Sequence, residues 1–165
     1  MHYSDPVLLR RAEPIEEIDA NVRAVAARMV ELMTAARGIG LAAPQVGLSW
    51  RMFVANPANE PDAARVFVNP VLVDPSTETE DYEEGCLSIP GVNAEIRRPT
   101  TVTLHATNLD GETVEATAEG LPARVWQHET DHLDGVLILE RMRPVDKIAN
   151  RRAIRELEAA YRDRR

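Results

Sequence analysis

Residues 120–133 read GLPARVWQHETDHL. Pro122 is tolerated in a first helical turn, and Gly135 just beyond the stretch is a natural stop, so the spacing predicts one helix. On it His128 and His132 stand four apart, one turn along a single face, where both imidazoles can reach one ion. Glu129 follows the first histidine on the neighbouring flank, within reach of a water on that ion. A chance pair of surface histidines is the plainer account of so short a pattern, and a catalytic site needs a third ligand besides.

Three apolar stretches precede this helix: WRMFVAN (50–56), RVFVNPVLV (65–73) and TVTLHATNL (101–109). The last alternates Val102, Leu104 and Ala106. It then meets NLDGE, a hairpin signal, and returns through TVEATA. Apolar positions at Ile18, Val22, Val25, Met29 and Leu32 predict an amphipathic helix over 15–35, after Pro14 and ended by Gly38. A further helix is expected from about Val145, with Ile148, Ile154, Leu157 and Tyr161 on one side. The fold class is therefore α+β: antiparallel sheets around a central HExxH helix, with an N-terminal and a C-terminal helix.

The chain of 165 residues fits one domain, 1–165, large enough to bury a core without disulfides. No apolar run is long enough to span a bilayer, so no membrane partner is expected. The first residues lack the apolar centre of a secretory signal, so the chain is expected to be cytoplasmic. A net charge of −8 argues against general nucleic-acid binding. Residues 141–165 nevertheless hold nine Lys/Arg against four acids. A solvated helix face is the plain reading of that tail, and a docking element the sharper one.

The third ligand has few candidates. In HETDHLDGVLI, residues 128–138, Ile138 falls where one peptidase pattern needs a third histidine, and it cannot coordinate. Glu156 and Glu158 could serve a second peptidase pattern, but they lie among arginines that repel a cation. His105 sits mid-strand and His2 near the start. Cys86, the single cysteine, stands in EEGCLSIPG beside Gly85, at a turn closing a strand. Buried packing is the usual fate of a lone cysteine. Here a thiolate with two imidazoles gives three protein ligands and an open fourth position, as a catalytic site requires.

At this point the sequence resembles the peptide deformylases. The family patterns GxGLAAxQ, EGCLS and QHExDH are met without mismatch by GIGLAAPQ (38–45), EGCLS (84–88) and QHETDH (127–132). DPVLLRRAEPI (5–15) resembles the family's N-terminal segment. The resemblance implies a hydrolase that removes the formyl group from formyl-methionine of nascent polypeptides, releasing formate. It implies that Cys86, His128 and His132 bind the metal and that Glu129 is general base and acid. Gln45 and the Leu87 N–H would stabilise the oxyanion. One divalent ion is implied, Fe²⁺ as the physiological one, with Zn²⁺, Ni²⁺ or Co²⁺ able to use the same donors.

A hydroxide on that ion would attack the formyl carbon, Glu129 handling protons. The segments around Gly40 and Gly85 would flank an extended substrate through main-chain hydrogen bonds. Ile39 and Val125 are candidates for the methionine pocket, although either could be ordinary core. Arg98 and Asp131 could pair behind the site, with surface solvation the simpler account. The basic C-terminal helix would contact the ribosome. An HExxH metallopeptidase and a non-catalytic metal-binding module remain as alternatives.

Overall fold

A computed structural model describes residues 1–163. The first helix, α1 (Ala20–Ala35), begins five residues later than its apolar spacing implies. Asp19 starts it by accepting the Val22 N–H at 2.8 Å. Residue 15 is claimed elsewhere: the Asn69 side chain donates to the Ile15 carbonyl and accepts its N–H, both at 2.8 Å. The buried stripe runs Val22, Ala26, Met29, Met33. The helix also stops without using Gly38 as its left-handed residue. Arg37 takes that conformation, at φ 56°, and the Gly38 N–H closes on the Met33 carbonyl at 2.9 Å.

Seven strands follow, β1 (Gly40–Ala42), β2 (Met52–Ala55), β3 (Arg65–Val73), β4 (Thr79–Gly85), β5 (Asn93–Pro99), β6 (Thr101–Thr107) and β7 (Thr113–Glu119). Five form one antiparallel sheet in the order β1-β2-β3-β6-β7, and β4 pairs only with β5. The expected hairpin at NLDGE joins β6 to β7, with Asn108 Oδ1 accepting the Asp110 and Glu112 N–H groups. A bulge between Val68 and Val71 absorbs Asn69 and Pro70 within β3.

Strands β4 and β5 escaped the hydrophobic pattern for opposite reasons. In TEDYEEG only Glu84 is buried. In NAEIRRP the alternation is regular, but its buried positions are Ala94, Ile96 and Arg98, so the third reads as charge.

The histidine helix is α2 (Leu121–Leu133), with Pro122 in its first turn and Gly135 left-handed at φ 74°. It is enclosed on nearly every side. Trp126 meets Phe67 edge-on, 5.8 Å between ring centres, in a core shared with Phe53, Leu104 and Leu133. Helix α1 covers a second core of Met29, Met33, Met52 and Val54. A third gathers Leu8, Ile89, Ile96, Leu137 and Met142. Each such side chain contributes roughly 1.5–3 kcal/mol through burial.

A short helix, α3 (Ile138–Arg141), precedes the expected C-terminal helix, which is two pieces, α4 (Pro144–Ala149) and α5 (Arg151–Arg162). Asn150 separates the last two, its side chain donating to the Asn93 and Asp146 carbonyls, each at 2.9 Å. The break turns Ile148 outward, 74% exposed, while Ile154 and Leu157 pack on the third core as expected. Arg164 and Arg165, part of the basic tail, lie outside the described residues. Among the described residues no helix is long and apolar enough to cross a membrane.

Candidate metal centre

Cys86 directly follows β4, and its carbonyl takes the Ile89 N–H at 2.9 Å in a tight turn. That turn presents the thiol to α2. The ligand atoms of Cys86, His128 and His132 all lie within 4.8 Å of one another, and Cys86 Sγ stands 3.3 Å from His132 Nε2. Metal–ligand bonds of about 2.0–2.3 Å in a tetrahedron place donors about 3.5 Å apart, so the cluster matches the size of a zinc- or iron-type site. Among the described residues no other His, Cys, Asp or Glu joins it. Ile138 is buried in the third core, and Glu156 pairs with Arg152 at 2.8 Å on α5.

The surroundings favour positive charge at this point. Burial works against a proton on His128, yet hydrogen bonds with Cys86 and Glu84 and the charge of Glu129 outweigh it and raise the pKa to about 10. The same partners suit a cation. Burial, helped by the charges of His128 and Arg98, holds His132 well below its ordinary value, leaving a neutral imidazole with a lone pair to give.

Glu84 fixes the first histidine. Its Oε2 lies 3.0 Å from His128 Nδ1, so Nε2 is the nitrogen left for the ligand cluster. Burial would raise the Glu84 carboxyl, but hydrogen bonds from His128 and Arg98 hold it well below the usual carboxylate range. Arg98 reaches Glu84 at 2.6 and 3.0 Å and Asp131 at 2.8 Å, and it is 3% exposed. The pair suggested by the sequence therefore forms behind the site, with Arg98 buried and Asp131 partly so.

Glu129 is 4% exposed, and its Oε2 has no hydrogen-bond partner among the described residues. Burial, with the nearby charge of Glu84 and against the pull of His128, pushes its carboxyl up to about 7. Such a carboxyl can both take and return a proton near neutrality.

Gln45 lies in the 3₁₀ turn Ala43–Val46, directly after β1. Its Oε1 accepts the Ala42 N–H at 2.8 Å, which orients the amide. Nε2 then faces Ser88 Oγ at 3.2 Å and Cys86 Sγ at 3.8 Å. The Leu87 N–H makes no hydrogen bond among the described residues. A cavity of about 480 Å³ opens over these groups, lined also by Ile39, Gly40, Gly85 and Val125. The fold thus brings Gln45, Cys86, Leu87, His128 and Glu129 together with Ile39, Gly40, Gly85 and Val125 around one cleft, with His132 beside Cys86, whereas Arg98 and Asp131 lie outside its lining. Glu84, Ser88 and Arg124 also meet there without having been singled out. Asking what holds the free nitrogen of His128 would have pointed to Glu84, two residues before the cysteine.

The model of the polypeptide deformylase family matches residues 1–148. The chain belongs to the polypeptide deformylase family. A peptide deformylase of Thermotoga neapolitana is 44% identical over 160 residues, covering 97% of this chain and 96% of that one. The solved peptide deformylase of Plasmodium falciparum superposes with a TM-score of 0.95 at 36% identity, covering 98% and 96% of the two chains. That of Arabidopsis thaliana (peptide deformylase 1B), solved with an inhibitor, gives 0.95 at 39% identity, covering 99% and 91%. This deformylase is a metalloenzyme that removes the N-terminal formyl group from nascent polypeptides. The expected α+β fold and activity hold.

Proposed function

We propose that Cys86, His128 and His132 hold one divalent ion and that Glu129 handles the protons of formyl hydrolysis. The observation that carries this reading is the convergence of one thiol and two imidazole nitrogens within 4.8 Å, beside a buried carboxyl with an unpartnered oxygen. Fe²⁺ is the physiological ion, and Zn²⁺ suits the same donors.

When bound, the ion supplies Lewis acidity that makes water nucleophilic at neutral pH. Glu129 accepts a proton from the attacking water and returns one to the leaving amine as the carbon–nitrogen bond breaks, giving formate and a free N-terminus. Negative charge grows meanwhile on the formyl oxygen. Gln45 Nε2 and the Leu87 N–H donate to it. Ile39 and Val125 wall the methionine side chain, and the backbones around Gly40 and Gly85 hold the peptide as an added strand. Pairing through the main chain is indifferent to sequence, which suits an enzyme for many nascent chains.

The whole chain, 1–165, works as one catalytic domain in the cytoplasm. Its arginine-rich C-terminal segment contacts ribosomal RNA, and deletion of residues 148–165 should abolish co-sedimentation with ribosomes at low salt; unchanged co-sedimentation would overturn this contact. The catalytic assignment is tested by two variants with formyl-Met-Ala-Ser as substrate. Glu129→Ala keeps the ion and loses turnover, whereas Cys86→Ala loses or weakens ion binding. Equal activity in wild type and Glu129→Ala would remove Glu129 from the chemistry.

A further inference from the structure

The ligands come from two separate pieces of backbone: Cys86 follows the β4–β5 hairpin's first strand, while both histidines lie on α2. The site is therefore only as well formed as the fit of hairpin to helix. Much of that fit is polar. From the hairpin, Arg98 reaches Asp131 on α2 at 2.8 Å. From the helix, Arg124 does the reverse.

Arg124 sits one turn before His128 and is 7% exposed. Its Nη1 donates to Glu84 Oε1 at 2.8 Å and to the Ile96 carbonyl at 2.9 Å. Its Nη2 donates to the Glu80 carbonyl at 2.8 Å, and its guanidinium carbon lies 5.4 Å from the centre of the Tyr82 ring. These partners lie on both strands of the hairpin. One of them, Glu84, is also the carboxylate that holds His128 Nδ1.

We propose that Arg124 is a positioning residue for deformylation: it pins the β4–β5 hairpin to α2 and so sets the Cys86 thiol against the two imidazoles. The chemistry favours arginine specifically. A planar fork of fixed donors can serve a carboxylate and two carbonyls at once, whereas an ammonium on a flexible stem is a single point charge. Arg124 also donates to Glu84 Oε1, the oxygen that Arg98 Nε reaches, so that Glu84 Oε2 stays turned to His128. Groups one step behind a ligand commonly change metal affinity 10- to 100-fold when removed.

The proposal rests on the ligand reading above, and cobalt separates the two. Wild type, Arg124→Gln, Arg124→Lys and Arg97→Gln are freed of metal and loaded with Co²⁺. Affinity is read by chelator competition and coordination by the thiolate-to-cobalt absorption. Arg97, 71% exposed and paired with Asp81 across the same hairpin, is the control. Arg124→Gln should bind cobalt about 10-fold more weakly or worse, with a dimmed or shifted thiolate band. Arg124→Lys should lose less of both, and Arg97→Gln neither.

An Arg124→Gln protein with wild-type affinity and spectrum overturns the proposal, even if its melting temperature falls, because that pattern marks a merely structural arginine. If Arg124→Gln does not fold, Arg124→Lys is judged by the same two readings: losses support the pin, wild-type values overturn it. A wild-type cobalt protein with no thiolate band is a different failure, which sinks the ligand reading and the pin together.

Discussion

The Glu129 carboxyl lies directly against the backbone of Gly40. A Cβ placed on Gly40 would stand 2.3 Å from Glu129 Oε1 and 2.8 Å from its carboxyl carbon. Only a residue without a side chain leaves the carboxyl where it is. Because the obstructing atoms end a flexible side chain, Gly40→Ala can be absorbed by swinging Glu129 aside. The loss should therefore fall on turnover rather than on folding. Misplacing a reacting group by about 1 Å costs on the order of 10²-fold. Formate release from formyl-Met-Ala-Ser should drop by about that factor while metal content stays at the wild-type level, since no ligand is touched.

Glu84 faces three partners at once, Arg98, Arg124 and His128. Truncation to alanine strands two buried guanidinium groups. Breaking a buried ion pair from one side costs roughly 3–5 kcal/mol. Denaturant unfolding of metal-free Glu84→Ala should show a loss of that order. Chelator competition should show metal affinity about 10- to 100-fold lower, because His128 loses the contact that orients it. Wild-type stability in Glu84→Ala would mean that the two arginines find other partners.

The two helices and the sheet strands β2, β3, β6 and β7 were legible because their apolar residues recur with the period of each element. The ligand helix was legible because its chemistry is local: two histidines one turn apart need no tertiary information. The start of α1 was not, since Asn69, 54 residues away in sequence from Ile15, keeps residue 15 out of the helix. Nor was β1. GIGLAA reads as a flexible turn, and becomes a strand only through its pairing of Leu41 with Val54. The supporting shell was hidden for a related reason. Glu84 and Arg124 are charged residues at buried positions, as is Arg98, whose pairing with Asp131 the sequence suggested only beside a simpler surface reading; a charge in a sequence reads as surface until its partners are known.

Burial also gives Glu129 a signature in stability. Its folded pKa, about 7, lies above the unfolded value near 4.5. A carboxyl raised in this way supports folding when protonated. That support is complete below about pH 4.5 and is lost as pH rises through 7. Across that window metal-free wild type should lose on the order of 3 kcal/mol relative to Glu129→Gln, which has no proton to give up. Unfolding the two proteins side by side in chelator, from pH 4 to pH 8, checks the sign. A difference that stays flat would show that the Glu129 carboxyl titrates alike in the folded and unfolded chain.

Gln45 offers the most direct test of how charge on the formyl oxygen is met. Its carbonyl is occupied by the Ala42 N–H, so the amide cannot turn over without losing that bond. The NH₂ group is thereby committed to the side that holds Ser88 and Cys86. Gln45→Glu keeps the shape and the acceptor for Ala42 but has no N–H to donate, and its charge opposes the one developing on substrate. Gln45→Leu removes donor and acceptor together. If the donor is what matters, both should lower kcat by about 10²–10³, with KM changed far less. The glutamate variant should be at least as impaired as the leucine one, despite its closer fit. A glutamate variant near wild-type rate would show that Gln45 acts only by bracing the turn after β1.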